Sequence, residues 1–273
     1  MIKKTVSLIL CTLFLLFSVS CTKIESGLSD ETTEDSETEK EQEETSPAPV
    51  SPFDDGKTVI CIDPGHGFGD VGCKTDFIDC YEKDLTLTLS LVLKEEFEAA
   101  GATVILTHDG ESFPSVEEIT READKYGVEY NIEKMDENDI FGKYERAIWQ
   151  NVLDRKYSLD MFISLHINSI EDHPEVRGVS IDYCTANPYA EMLSEFCDSL
   201  REALTEKSIA QSVDVFADKP EDSYVVTKYS TAPSVLIEAG YATSPADAAN
   251  LLDEGWQRAF CSALCKTVTD AVS

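Results

Sequence analysis

Residues 57–241 carry five short apolar runs, KTVICID, ATVILT, DMFISLHI, GVSIDYC and APSVLIEAG, separated by longer stretches. Most of those stretches repeat their apolar residues at helical spacing. This alternation constrains the fold more than any other feature of the chain. Strands that read as continuous apolar runs are buried on both faces, and sheets of such strands are covered by crossover helices. The pattern therefore predicts an α/β chain folded as a three-layer sandwich, one sheet between two layers of helix, in a single domain over residues 57–273. The first unit is the plainest. Between KTVICID and ATVILT lies EKDLTLTLSLVLKEEFEAAG, in which Leu85, Leu87, Leu89 and Leu91 alternate as in a strand. The four-residue spacing of Leu85, Leu89, Leu93 and Phe97, with a stop at Gly101, favours a helix. A strand–helix–strand unit of this kind has parallel strands and a right-handed crossover.

The N-terminal part belongs to a different class of polymer. Lys3 and Lys4 precede an apolar run from Val6 to Val19, too short to span a bilayer comfortably but suited to an export signal over residues 1–20. The run ends in SVSC, which resembles the lipobox of bacterial lipoproteins, and the resemblance makes Cys21 the lipidated residue and new N-terminus. Ser18 stands where that motif usually has Leu, and release as a secreted protein is the alternative. Residues 21–56 are rich in Glu, Ser, Thr and Pro and poor in large apolar residues, so a disordered acidic linker is expected. The predicted location is the outer face of a membrane, with the domain tethered to it. The whole chain holds 22 Lys and Arg against 53 Asp and Glu, a formal net charge of −31. Such a surface repels phosphate backbones and excludes nucleic acid as a partner.

Three strands end in residues that carry chemistry. His66 follows KTVICID in the turn PGHG, His166 ends FISLHI, and Glu238 ends SVLIE, while Glu82 opens the first long helix. Parallel strands would gather all four at one edge of the sheet, where open α/β sheets keep their ligand crevice. Two histidines and a carboxylate form a catalytic zinc shell with a position left for water. A non-haem iron site uses the same ligand types, but nothing in the chain calls for redox chemistry.

The motifs IDPGHG, YEKDLTL, DMFISLHINS and SVLIEAGYATSPADAANLL, in that order, resemble the zinc-dependent N-acetylmuramoyl-L-alanine amidases of the amidase-3 family. The resemblance covers nearly all of residues 59–272. It implies a single catalytic domain with a mixed, mostly parallel twisted sheet flanked by helices. It assigns His66, Glu82 and His166 as zinc ligands and Glu238 as the catalytic glutamate, and it matches Arg146 and Asn151 to the family's helix before the second histidine. The implied substrate is peptidoglycan, cut between N-acetylmuramic acid and the L-alanine of the stem peptide. A protein regulator is left open. Asp63 or a backbone carbonyl is expected to orient the His66 ring.

Several features depart from the family pattern. Cys73 and Cys80 both precede Glu82, Cys80 by two residues, and either a disulfide between them or two free thiols is expected. Cys61 is expected to be a buried small apolar residue, and Cys261 and Cys265 to share the inner face of the last helix. His108, where the family usually has Arg, and His173 are expected at the surface. Residues 111–142 are long for this position and read as an insertion, either a lid or an inert excursion. Two rival functions remain. One is a zinc carboxypeptidase-like enzyme acting on stem peptides, for which Arg146 is the only evident carboxylate-binding arginine. The other is an inactive wall-binding or activator lipoprotein, which would be expected to lack a ligand or the catalytic glutamate.

Overall fold

A computed structural model of the chain describes residues 56–74, 77–135 and 141–273. The signal peptide, Cys21 and nearly all of the linker lie outside the described residues. The first strand, β1 (Val59–Pro64), leads into helix α1 (Glu82–Ala99) and strand β2 (Thr103–Leu106). The contest between strand and helix over residues 82–99 is decided by period four. Leu85, Leu89, Leu93 and Phe97 are buried, while Leu91 is left 45% exposed. After β2 come α2 (Val116–Tyr126), a single 3-10 turn (Ile132–Lys134) and α3 (Lys143–Tyr157), then β3 (Met161–Asn168) and β4 (Val179–Cys184). The chain continues through α4 (Ala190–Glu206), β5 (Val213–Asp218), the single turn α5 (Val225–Lys228), β6 (Ser234–Tyr241), α6 (Pro245–Leu251) and α7 (Glu254–Val272).

The six strands form one sheet in the order β2-β1-β3-β6-β4-β5. Strands β2, β1, β3 and β6 are parallel; β4 pairs antiparallel with β6 and parallel with β5. The sheet is therefore mixed and mostly parallel, as the family resemblance implies. Strand β5 is the element that apolar periodicity misses. It is an edge strand with only Val213 buried, and its other positions include Asp214 and Asp218.

Helices α1, α4 and α7 cover one face, where Phe97, Phe196 and Phe260 pack on Ile62, Ile163 and Ile237. Each such buried side chain contributes about 1.5–3 kcal/mol of apolar burial. The opposite face carries Cys61, Phe162 and Leu236 under Leu153 of α3 and Val226 of α5. Helix α1, returning from β1 to β2, thus lies on one face, and α3, returning from β2 to β3, on the other. The strand order reverses between β1 and β3, the place where sheets of this kind keep their ligand site, at the carboxyl ends of the strands.

Residues 111–135 and 141–142 build a small core of their own on α3. Ile119 and Ala123 of α2 meet Ile148 and Val152, joined by Met135 and Phe141. A capped N-terminus at Ser115, whose hydroxyl accepts the Glu118 N–H at 3.2 Å, and a left-handed stop at Gly127 fix the ends of α2.

Candidate metal centre

On the α3 face of the sheet the side chains change from apolar to polar towards the carboxyl ends. Asp63 of β1 pairs in register with Ser164 of β3, and His166 of β3 with Glu238 of β6. The turn after β1 then places His66 in the left-handed region, at φ 63°, followed by Gly67 at φ 117°. That conformation costs a non-glycine residue free energy and persists only where its surroundings enforce it. Here they do. Arg146 donates to the Pro64 carbonyl at 2.7 Å, to the Phe141 carbonyl at 3.2 Å and to the His66 carbonyl. Thr86 donates to the Gly65 carbonyl at 2.7 Å, and His108 Nε2 lies 2.8 Å from the Pro64 oxygen. Gly65 has no alternative, because a Cβ there would lie 2.6 Å from the His166 ring.

The turn, the start of α1 and the end of β3 bring three donors together. Glu82 Oε1 lies 3.0 Å from His66 Nε2 and 3.2 Å from His166 Nδ1. The two imidazole rings meet edge to face with centroids 4.9 Å apart. One ligand atom from each of the three residues lies within 4.8 Å of the others. The Glu82 carboxylate is fixed further by the Ile167 and Cys73 N–H groups, both at 2.9 Å. Gly72 lets the chain pass, since a Cβ there would sit 2.6 Å from Glu82 Oε2. Burial opposes the charge on Glu82, but hydrogen bonds from His166, His66 and Cys73 outweigh it and hold the carboxyl well below the usual range. The donor set, two imidazole nitrogens and one carboxylate oxygen, fits a catalytic zinc ion.

The partner of His66 differs from expectation. Its Nδ1 faces Asp70 Oδ2 at 2.8 Å, so Asp70 and not Asp63 orients the ring. A carboxylate behind a ligating imidazole fixes its tautomer and raises its basicity. Burial lowers the His66 pKa, yet the bonds to Glu82 and Asp70 prevail and raise it above its ordinary value. Asp63 serves the turn instead. Fully buried, it accepts from Arg146 at 2.7 Å and from Ser164 at 2.8 Å, with Thr107 as a third donor.

Glu238 is 7% exposed, and among the described residues its Oε2 has no hydrogen-bond partner. Burial, with Glu82 and Asp182 nearby, pushes its carboxyl up to about 8. Asp182 of β4 is itself raised to about 7 by burial and Asp218. The Arg146 guanidinium is committed to Asp63 at 2.7 Å.

Other residues resolve differently. His108 is not at the surface: it is 5% exposed, beneath the PGHG turn and outside the three-donor group. His173 is a surface residue, with Glu175 at 3.0 Å. Asn151 ties α3 to the loop before β6, donating to the Tyr229 carbonyl at 2.7 Å and accepting from the Thr231 N–H at 2.9 Å. Cys73 and Cys80 are free thiols. Burial and Glu82 push the Cys73 thiol up to about 12, so without metal it is held as the neutral thiol. Cys61, Cys261 and Cys265 are buried, as predicted. Asp70 was legible in principle: it lies four residues after His66 in a glycine-rich turn, GHGFGD.

Residues 60–270 match the amidase-3 family, described as N-acetylmuramoyl-L-alanine amidase. A probable cell wall amidase of Staphylococcus aureus, LytH, is 24% identical over 200 residues, 73% of this chain and 53% of the relative. The chain thus spans about half the length of the curated relatives it matches. An N-acetylmuramoyl-L-alanine amidase from Clostridium difficile 630 superposes with a TM-score of 0.60 at 19% identity, covering 78% of this chain and 96% of that one. The CwlD amidase from Clostridioides difficile, solved in complex with the GerS lipoprotein, gives 0.59 at 22% identity, covering 79% and 98%. At these identities the superpositions speak to the fold, a mixed sheet between helical layers. The match over residues 60–270 decides the lineage: this chain belongs to the N-acetylmuramoyl-L-alanine amidase family.

Proposed function

We propose that this chain hydrolyses the amide bond between N-acetylmuramic acid and the L-alanine of peptidoglycan stem peptides, with zinc held by His66, Glu82 and His166. The observation that carries the proposal is Glu238, a buried carboxylate with an unpartnered oxygen, set beside His166 in the sheet. Zinc supplies Lewis acidity, which polarises the scissile carbonyl and makes water nucleophilic near neutral pH. The residues of the chain do the rest. Asp70 keeps the His66 ring turned towards Glu82, and the Ile167 and Cys73 N–H groups hold the Glu82 carboxylate still. Glu238 takes a proton from the attacking water as its hydroxyl adds to the lactyl carbonyl carbon. It then returns that proton to the amine of L-alanine as the C–N bond breaks. Proton transfer of this kind is worth roughly 10²–10⁴-fold. Burial beside Glu82 and Asp182 raises the Glu238 carboxyl to about 8, and a dication held by the three donors would favour its charged, proton-accepting form.

The carboxypeptidase-like reading loses support because its one candidate arginine, Arg146, is buried against Asp63 and the turn. The reading as an inactive wall-binding or activator lipoprotein has no missing ligand or glutamate to rest on. The remaining parts of the proposal are export, a lipid anchor at Cys21 and action outside the cytoplasm. They rest on the N-terminal sequence and on relatives named for the cell wall.

Purified protein is expected to hold one zinc per chain and to release intact stem peptides with a free L-alanine amine from peptidoglycan, read by mass spectrometry. Zinc retained at wild-type stoichiometry in His166→Ala overturns the ligand set. Fragments shortened at the carboxyl end of the stem overturn the bond assignment.

A further inference from the structure

The metal centre leaves the insertion after β2 without a role, and the insertion walls a second concavity. A groove of about 580 Å³ runs along α3, between residues 127–134 on one side and the Tyr229–Thr231 loop on the other. Its size is that of a ligand site. Ala147 and Ile148 make the floor, and Asn151 braces the far wall through its bonds to Tyr229 and Thr231.

Two features give the groove a chemistry. Tyr144 and Tyr229 face each other with ring centroids 6.3 Å apart and planes tilted by 38°. Lys134 Nζ lies 5.5 Å from the Tyr144 ring and 5.7 Å from the Tyr229 ring, so the insertion reaches across to both. Lys143 and Lys228 stand over the same two rings at 5.8 and 5.5 Å, and Arg155 lines the groove further along α3. Among the described residues none of these four cations lies within 4.0 Å of a carboxylate, and the lining itself holds Lys134 and Arg155 with Glu129 as its one acid. In a chain of net charge −31 a lining with two cations, Lys134 and Arg155, and one acid runs against the overall sign. The rings offer flat apolar faces, and the ammonium and guanidinium groups around them attract carboxylates.

We propose that this groove binds a carboxylate-bearing glycan, sugar faces against Tyr144 and Tyr229 and acid groups against Lys134 and Arg155. The proposal rests on the amidase reading for the identity of the polymer, a peptidoglycan strand whose stem peptides carry carboxylates. Position supports it. Tyr144 and Arg146 share the first turn of α3, and Arg146 clamps the His66 turn. One helix thus serves both the groove and the turn that carries His66, and in this reading a long strand engages both, whereas a short fragment in the metal cleft leaves the groove empty.

The test uses the full chain and two paired variants, Lys134→Glu with Arg155→Glu, and Tyr144→Ala with Tyr229→Ala. Binding to purified peptidoglycan sacculi is measured by cosedimentation with chelator present, so that nothing is cut. Turnover of a soluble disaccharide-peptide is measured separately with zinc. Each pair is expected to weaken sacculus binding about 10-fold or more while changing disaccharide-peptide turnover less than about twofold. The charge-reversed pair alters exposed side chains, so it stays informative if loss of the tyrosines disturbs folding. Wild-type binding by the charge-reversed pair overturns the proposal. A loss seen only on sacculi that retain phosphate-bearing wall polymers, and not on stripped sacculi, overturns it in favour of a phosphate ligand. A wild-type protein that binds sacculi through these residues yet cuts no muropeptide sinks the amidase reading and leaves the groove standing.

Discussion

Asp63 and Glu238 are two buried acids on the same face of the same sheet, with strand β3 between them, and they live in opposite surroundings. Asp63 receives hydrogen bonds from Arg146, Thr107 and Ser164; Glu238 keeps an oxygen with no partner. Burial opposes the charge on both. At Asp63 the Arg146 guanidinium and the two hydroxyls prevail and hold the carboxyl below its ordinary value, while at Glu238 burial and the neighbouring acids Glu82 and Asp182 push it up to about 8. The difference teaches how to tell a buried acid that builds from one that reacts. A satisfied charge belongs to the architecture, and an unsatisfied one is held ready for something the chain does not supply.

The largest effect tests the architectural side. Asp63→Ala leaves the Arg146 guanidinium buried without its carboxylate, and removing one member of a buried pair costs about 3–5 kcal/mol. Urea denaturation should show that loss, and zinc retention should fall with it as the His66 turn relaxes. A variant as stable as wild type would break the comparison at its first term.

Glu238→Gln tests the other side. The change keeps shape and removes the proton acceptor, so turnover should fall by about 10²-fold or more while zinc content and melting temperature stay near wild type. The metal-free protein adds a pH signature. An unfolded glutamate releases its proton near 4.5, whereas native Glu238 keeps it up to about 8. In that window the native state binds more protons than the unfolded one, so stability falls as pH rises. Asp63 has the opposite sign: its contribution is present above its ordinary value and is lost as pH drops through the lowered one. Urea midpoints of chelated wild type, minus those of Glu238→Gln, should therefore decline between about pH 4.5 and 8. A flat difference curve means that Glu238 is ionised without metal.

The smallest effect separates holding the metal from using it. Asp70→Asn keeps a hydrogen-bond partner for His66 but removes its charge. Zinc affinity should weaken about 10- to 100-fold, with turnover at saturating zinc little changed. Competition with a chelator of known affinity reads the first quantity; unchanged affinity would leave Asp70 as a loop-forming residue only.

What was legible in the sequence followed burial. Strands β1, β3 and β6 are central and covered on both faces, so they appear as unbroken apolar runs, and the residues ending them, His66, His166 and Glu238, could be placed at one edge. Helix α1 was legible once period four outweighed period two. Strand β5 was not, because an edge strand buries little and Asp214 and Asp218 interrupt it. The roles of Arg146 and His108 were hidden for another reason. Arg146 meets Asp63 across 83 residues of chain, and His108 meets Pro64 across 44. Periodicity reports which face a residue occupies but not which distant carbonyl it finds there.

Strand β1 also sets which way the molecule points. Its carboxyl end delivers His66 to the cleft, and Gly56 and the chain before it join at its amino end. Six residues of strand, about 20 Å, separate the two. The N-terminal segment is thus attached at the pole of the domain opposite the cleft.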